Sequence, residues 1–62
     1  MAFFFDVRYC FTLDNGEVIK GEDVIESPEI KWVFKIAEAS ARQRHGYRKD
    51  QFRLTAIIER EG

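Results

Sequence analysis

Residues 3–13 alternate between large apolar side chains and other residue types almost without interruption. The apolar positions are Phe3, Phe5, Val7, Tyr9, Phe11 and Leu13, and Asp6, Arg8, Cys10 and Thr12 fall between them. Because successive side chains of a β-strand point to opposite faces, this period of two predicts a strand with one buried face. The chain must therefore build a sheet that has a second layer packed on one side.

A turn and a second strand are predicted directly after this segment. The sequence Asp-Asn-Gly at residues 14–16 tolerates positive φ angles, so the chain should reverse there into a strand over residues 17–25. A two-residue turn would point Val18 and Lys20 inward, whereas a three-residue loop with a bulge would point Ile19 and Gly21 inward. Gly21 is also typical of a bulge or of an early end to pairing. The sequence leaves the register open.

Residues 28–45 are predicted to form a helix with recognisable ends. The Ser27 hydroxyl can accept a hydrogen bond from a free amide, and Pro28 suits the first helical position. Gly46 can adopt the left-handed conformation that ends a helix, and Tyr47 is placed to fold back onto the helix end.

The predicted helix has more apolar surface than one small sheet covers. Its apolar side chains spread over roughly 200° of the circumference, a wider band than a surface helix usually buries. Val33, Ala37 and Ser40 are expected at the centre of the buried side. Either both flanks fold down onto the sheet, or one flank stays exposed and docks on another chain. The flank expected to stay exposed consists of Trp32, Ile36 and Ala39.

A third strand over residues 51–60 completes the predicted fold. Inward positions are expected at Phe52, Leu54, Ala56 and Ile58, and outward positions at Gln51, Arg53, Thr55, Ile57 and Glu59. The order of elements is ββαβ, which predicts a single α+β domain over residues 1–62. Its three-stranded antiparallel sheet has the order 2-1-3 and carries one helix on one face. The third strand is an edge, so Leu54 and Ile57 join the candidate interface.

The charges of the chain are divided between two segments. Residues 14–29 contain six acids and one base, whereas residues 42–53 contain five bases and one acid. The basic stretch also contains aromatic residues, a combination that can contact phosphates and bases. The candidate basic patch consists of Arg42, Arg44, His45, Arg48, Lys49 and Arg53. The acidic hairpin and a net charge of −1 oppose nucleic-acid binding, and these bases could instead pair with the acidic hairpin of another subunit.

No set of residues in the sequence matches a catalytic, cofactor or metal site. His45 is the sole histidine and Cys10 the sole cysteine, and neither has a partner at a recognisable spacing. Asp6 and Glu59 could pair as carboxylates on the outer side of the sheet, but arginines on that face explain them better as cross-strand ion pairs. We expect no enzyme activity, no cofactor and no bound metal.

Length and composition lead to a hypothesis about function. At 62 residues and 45% hydrophobic content the chain folds, but a lone core of this size is marginal, which favours a partner. One cysteine cannot form an intrachain disulfide, and no segment resembles a signal peptide or a membrane span, so we expect a soluble cytoplasmic protein. The hypothesis is a non-enzymatic protein–protein interaction or accessory protein acting as a homodimer. Nucleic-acid binding through residues 42–53 is the alternative.

Overall fold

The computed structural model describes residues 3–60, which form one antiparallel sheet and one α-helix. The elements are β1 (Phe3–Thr12), β2 (Val18–Ser27), α1 (Val33–His45) and β3 (Phe52–Arg60). The strands lie in the order β2-β1-β3, and both outer strands run antiparallel to β1. α1 packs on one face of this sheet, so the predicted α+β fold and strand order are confirmed. Residues 1, 2, 61 and 62 of the predicted domain lie outside the described residues.

The hairpin between β1 and β2 closes through a three-residue loop. The Leu13 amide donates to the Glu17 carbonyl oxygen at 2.8 Å, and the Gly16 amide donates to the Leu13 carbonyl oxygen at 2.9 Å. Gly16 has a φ of +88°, the left-handed conformation that such a loop requires at its last position. Of the two registers that the sequence allowed, the structure has the one in which Ile19 and Gly21 face inward.

Gly21 is neither a bulge nor the end of pairing, because β2 pairs with β1 without interruption as far as Ser27. It lies opposite Tyr9, whose ring covers it. A Cβ atom built on Gly21 would stand 2.5 Å from the Tyr9 hydroxyl oxygen and 2.6 Å from the ring atom Cε1. These separations are far inside van der Waals contact. Glycine is therefore required here because there is no room for a Cβ atom. Its backbone conformation does not require glycine, since its φ is not positive.

The helix begins later than predicted. α1 starts at Val33, five residues after the expected start at Pro28, and a single 3₁₀ turn over Ile30–Trp32 precedes it. Ser27 is still part of β2, as expected for a residue that a following proline holds extended. The buried Ser27 hydroxyl donates to the Glu29 carbonyl oxygen at 2.6 Å. It thus stabilises the turn out of the strand and does not cap α1.

The end of the helix is as predicted. Gly46 has a φ of +79°, and its amide donates to the Arg42 carbonyl oxygen at 2.7 Å. Tyr47 folds back, so that its ring centroid lies 5.2 Å from that of Phe11 and 6.3 Å from the nearly parallel ring of His45. This return brings the chain to the start of β3.

β3 contains a bulge that the sequence pattern did not predict. Leu54 lies opposite Tyr9 and Ala56 lies opposite Arg8, so Thr55 is an extra residue in the ladder. One extra residue reverses the alternation of every later side chain. Ile57 consequently lies on the helix side and not on the outer side as predicted.

The same shift changes the faces of three further residues. Ala56 and Ile58 were expected to point inward, but they share the outer face with Arg8 and Asp6, their partners on β1. Glu59 was expected on the outer face and lies on the helix side, opposite Phe5. Asp6 and Glu59 therefore lie on opposite faces and do not form a carboxylate pair, which the sequence had made the less favoured alternative.

The core lies between α1 and the helix side of the sheet. α1 crosses the strands obliquely: Phe34 in its first turn packs edge-on against Phe52 of β3, and Arg44 in its last turn bonds to Asp23 of β2. The helix buries Val33 and Ala37 as predicted, and Ser40 beside them is half-buried. The buried hydrophobic residues are Phe5, Val7, Tyr9, Phe11, Ile25, Val33, Ala37, Ala41 and Phe52.

Candidate protein interaction surfaces

Seven large exposed apolar side chains belong to one half of the sheet and to the segment that follows it. The register places five of them in the half of the sheet away from the hairpin turn, on both of its faces, and two more belong to the segment after Ser27. We call these seven residues the apolar end. They are Phe3, Phe4, Val24, Ile30, Trp32, Ile57 and Ile58. Exposed apolar groups are typical of surfaces that contact another protein.

The predicted helix flank is exposed. Trp32 is 44% exposed and Ile36 is 37% exposed, and Ala39 lies beyond them on the same side of α1. Phe34, on the opposite flank, is also 44% exposed although one edge of its ring contacts Phe52. Neither flank folds completely onto the sheet, so the surplus of apolar surface persists in the folded chain.

The two predicted interface residues of β3 lie on the helix side of the sheet. Leu54 is half-buried against the core, whereas Ile57 is exposed. The bulge at Thr55 stands between them and interrupts the free edge of β3. Bulges of this kind discourage regular pairing with another strand, so sheet extension is confined to the short segment after Thr55.

Two of the six residues of the predicted basic patch form ion pairs within the described residues. Arg44 contacts Asp23 of β2 at 3.0 Å, and Arg48 contacts Asp14 of the hairpin loop at 2.8 Å. The acidic hairpin and the basic stretch, which could have met between subunits, thus meet within one subunit. These pairs reduce the positive charge that a phosphate backbone would meet.

The other members of the basic patch point to different partners. Arg42 donates to the Tyr47 carbonyl oxygen, and Arg53 donates to the carbonyl oxygens of Asp50 and Phe52. Lys49 is exposed. The structure therefore spreads these side chains around the helix end and the start of β3.

His45 has a structural position in an aromatic cluster. Its Nε2 atom lies 2.9 Å from the hydroxyl oxygen of Tyr9, and its ring contacts Phe11 and Tyr47. Tyr9 is buried and His45 is half-buried. The hydrogen bond satisfies the Tyr9 hydroxyl in the core, as a buried phenol requires. It ties the last turn of α1 to β1.

Asp23 anchors the helix, a role that the sequence reading missed. Its carboxylate accepts hydrogen bonds from the Ser40 hydroxyl at 3.1 Å and from the Arg44 guanidinium at 3.0 Å. The three-residue loop register, which points alternate residues of β2 inward from Ile19, would have placed Asp23 toward the helix. An inward-pointing charge on an edge strand also opposes pairing with further strands.

Arg48 connects the hairpin loop to the start of β3. Its guanidinium binds both carboxylate oxygens of Asp14, at 2.8 and 3.1 Å, and Asp50 at 3.0 Å. Hydrogen bonds from Arg48 hold the pKa of both carboxyl groups below the usual range and raise the pKa of the guanidinium itself. Gln51 adds a hydrogen bond to Asp14 at 3.4 Å.

Replacing Arg48 with alanine is expected to raise the pKa of both Asp14 and Asp50 toward ordinary carboxylate values. The pKa values of both aspartates are depressed in the folded state. The Arg48 contacts therefore stabilise the fold at pH values above the usual carboxylate pKa, and this stabilisation is lost as the pH falls through the depressed pKa values. The measurement is an NMR titration of the carboxyl carbons. Lys49→Ala, which removes a neighbouring cation, is the control. Unchanged titration of both aspartates in Arg48→Ala would contradict the assignment.

The outer face of the sheet, opposite α1, holds the remaining candidate groups. Asp6 contacts Arg60 at 3.3 Å and Arg8 contacts Glu22 at 3.6 Å. Cys10 is a half-buried free thiol on this face. Two half-open depressions of about 630 and 590 Å³ lie here.

Within residues 3–60, no group of three or more His, Cys, Asp or Glu side chains is arranged to hold a metal ion. None of the helices in that part of the chain is long and apolar enough to cross a membrane.

Comparisons of the chain with protein families, with curated proteins and with solved structures gave no match.

Proposed function

We propose that the protein acts by binding another protein chain, that it has no catalytic step of its own, and that it works as a homodimer. The observation that carries the proposal is the apolar end, where seven large apolar side chains remain exposed. A chain of 62 residues has little core to spare, so exposing this much apolar surface is costly unless a partner covers it.

Trp32 supports the proposal as a candidate anchor. It is 44% exposed and lies between Ile30 and the exposed flank of α1. Exposed tryptophans beside other apolar groups often dominate the binding free energy of protein interfaces. Two arginines of the predicted nucleic-acid surface, Arg48 and Arg44, are meanwhile engaged with Asp14 and Asp23. This leaves the apolar surface as the better-supported route to a partner.

Cytoplasmic location is part of the same proposal. Cys10 is a free thiol within the described residues, and the fold is held by packing and hydrogen bonds that do not need an oxidising compartment.

Light scattering coupled to size-exclusion chromatography tests the homodimer. We expect a mass of twice the 7.3 kDa of one chain at high concentration, falling toward one chain on dilution. Trp32→Ala should weaken the dimer about tenfold or more if Trp32 is an anchor. Lys35→Ala, on the polar side of the same helix, should leave the mass unchanged. A monomer that persists at high micromolar concentration would contradict self-association.

Affinity purification with the wild-type chain and Trp32→Ala extends the test to other proteins. A protein that is retained by the wild type and lost with the variant would identify a partner of the exposed flank. If the chain is monomeric and retains no protein in this way, the proposed function is wrong.

A further inference from the structure

The exposed flank of α1 has the residue spacing of a seam between two helices. Trp32 has helical backbone angles directly before α1, and Ile36, Ala39 and Gln43 follow it at steps of four, three and four residues. Alternating steps of this kind keep side chains in one narrow line, and such lines pack against a line on a second helix. All four residues are exposed. The flank is therefore a seam that no helix covers within residues 3–60.

The seam is one helix face wide. Ser40 and Arg44 lie between it and β2, where both donate hydrogen bonds to the Asp23 carboxylate. On the far side of these contacts, α1 is buried against the sheet at Val33 and Ala37. A helix that lies in a membrane surface has its whole apolar face free, whereas most of that face of α1 is occupied. A single helix suits the narrow stripe that remains.

Two bases border the seam on its solvent side. At about 100° per residue, Lys35 and Arg42 lie about 70–90° around the helix from the centre of the seam, and both are exposed. None of the ion pairs within residues 3–60 includes either base. Arg42 bonds only to the neutral Tyr47 carbonyl oxygen, and Glu38, the single acid of α1, lies about 130° away. The border of the seam is therefore positive.

The charge at the Trp32 end of the seam is already balanced. The Lys31 ammonium group lies 5.5 Å from the centroid of the Trp32 ring and 3.1 Å from a carboxylate oxygen of Glu29. The uncompensated positive charge is thus confined to Lys35 and Arg42, which lie along the middle and the end of the seam.

A second copy of this chain does not supply the missing acids. When two helices meet along their seams, the residues beside one seam face those beside the other. In an antiparallel pair of copies Lys35 would face Arg42 of the other copy, and like charges repel. In a parallel pair Lys35 would face Ser40, which is neutral. The charges of the flank therefore favour a different chain.

We propose that the exposed flank of α1 binds an amphipathic helix of another protein, whose apolar stripe is bordered by aspartate or glutamate. Trp32 and Ile36 contact the stripe, and Lys35 and Arg42 pair with the acids. The inference deepens the proposed function and rests on it, since it names the chemistry of the partner. The contact spans about 17 Å of helix, a small interface that corresponds to a weak, transient complex. The homodimer then uses other residues of the apolar end.

Intrinsic fluorescence tests the proposal with two synthetic peptides. The probe is a tryptophan-free helical peptide with leucines at its seam positions and glutamates beside them, and its match has lysines in place of the glutamates. Trp32 is the sole tryptophan of the chain, so its emission reports contact at the flank. We expect the glutamate peptide to shift the emission to shorter wavelength and to bind about tenfold more tightly than the lysine peptide at low salt. Equal binding of both peptides, or no shift with the glutamate peptide at millimolar concentration, would overturn the proposal.

Reversing one charge on α1 tests the role of the bases. Lys35→Glu should weaken binding of the glutamate peptide about tenfold and strengthen binding of the lysine peptide. Lys49→Glu makes the same change of charge after the end of α1 and should bind both peptides as the wild type does. Circular dichroism checks that the variants fold, and Arg42→Glu replaces Lys35→Glu if it does not. Wild-type affinity of the folded Lys35→Glu chain for both peptides would contradict the pairing.

Failure of this inference can be separated from failure of the proposed function. A homodimer that is broken by Trp32→Ala would place a second copy on the flank, which overturns the inference and supports the proposed function. If neither peptide binds, but affinity purification retains a protein that Trp32→Ala loses, the proposed function stands and the acidic helix is wrong. An emission shift with vesicles of phosphatidylglycerol and phosphatidylcholine, and none with the glutamate peptide, would assign the flank to a membrane and overturn the inference.

Discussion

Replacing Gly21 with alanine is expected to destabilise the protein by about 1–3 kcal/mol, the usual cost of overpacking a well-packed site. The added methyl group would stand 2.6 Å from Cε1 of the Tyr9 ring, so the ring must move. Movement of Tyr9 also breaks its hydrogen bond to His45, which holds the end of α1. The sign of the change in unfolding free energy is informative, because alanine in an unhindered strand position is more stable than glycine by about 0.5–1 kcal/mol.

Urea denaturation of four chains measures this effect and isolates its cause. They are the wild type, Gly21→Ala, Tyr9→Leu and the double variant. If the clash with the Tyr9 ring is responsible, the alanine should cost much less free energy of unfolding when Tyr9 is already leucine. A Gly21→Ala protein as stable as the wild type would show that Tyr9 does not cover this glycine.

Truncation of Phe11 to alanine is expected to cause the largest loss of stability, about 3–5 kcal/mol. Its side chain is fully buried. Its ring contacts four other aromatic rings, those of Tyr9, His45, Tyr47 and Phe52. A domain of this length has a total unfolding free energy of about 3–9 kcal/mol, so the variant should be largely unfolded at moderate temperature.

Phe3→Ala is the matched control for Phe11→Ala. Phe3 belongs to the same strand and faces the same side of the sheet, but it is 43% exposed. Its truncation should cost well under half as much, because less apolar surface is buried and the remaining space is open to water. Thermal unfolding followed by circular dichroism compares the two variants. Equal losses would contradict the placement of Phe11 at the centre of the core.

The sequence predicted the elements of this fold but not all of their side-chain faces. The alternation from Phe3 to Leu13 and the Asp-Asn-Gly turn were sufficient for the hairpin, because both signals act over a few residues. The position of Thr55 as an extra residue gave no local signal. Its bulge depends on how β3 fits against β1, and it transferred Ile57 to the helix side and Ile58 to the outer side.

For the candidate surfaces too, some features were predictable from the sequence and others depended on the tertiary structure. Exposure of Trp32 and Ile36 was expected from the width of the apolar band on the helix, a property of sequence spacing alone. The pairing of Arg44 with Asp23 and of Arg48 with Asp14 joins residues far apart in the chain. Their opposite charges were visible in the sequence, but whether they meet within one chain depends on the path of the chain.

By itself the sequence determined the types of elements and their order, because hydrophobic period, turn chemistry and helix-ending residues are local properties. The strand order followed from placing the most apolar strand at the centre with a right-handed crossover. The tertiary structure alone decided the hairpin register, the late start of α1 and the faces of β3. Each of these depends on fit between distant residues: Tyr9 needs the space above Gly21, and β2 pairs with β1 as far as Ser27, which Pro28 also holds extended. The outward position of Ile58 arises from such a fit, since the bulge turns this side chain away from the helix side.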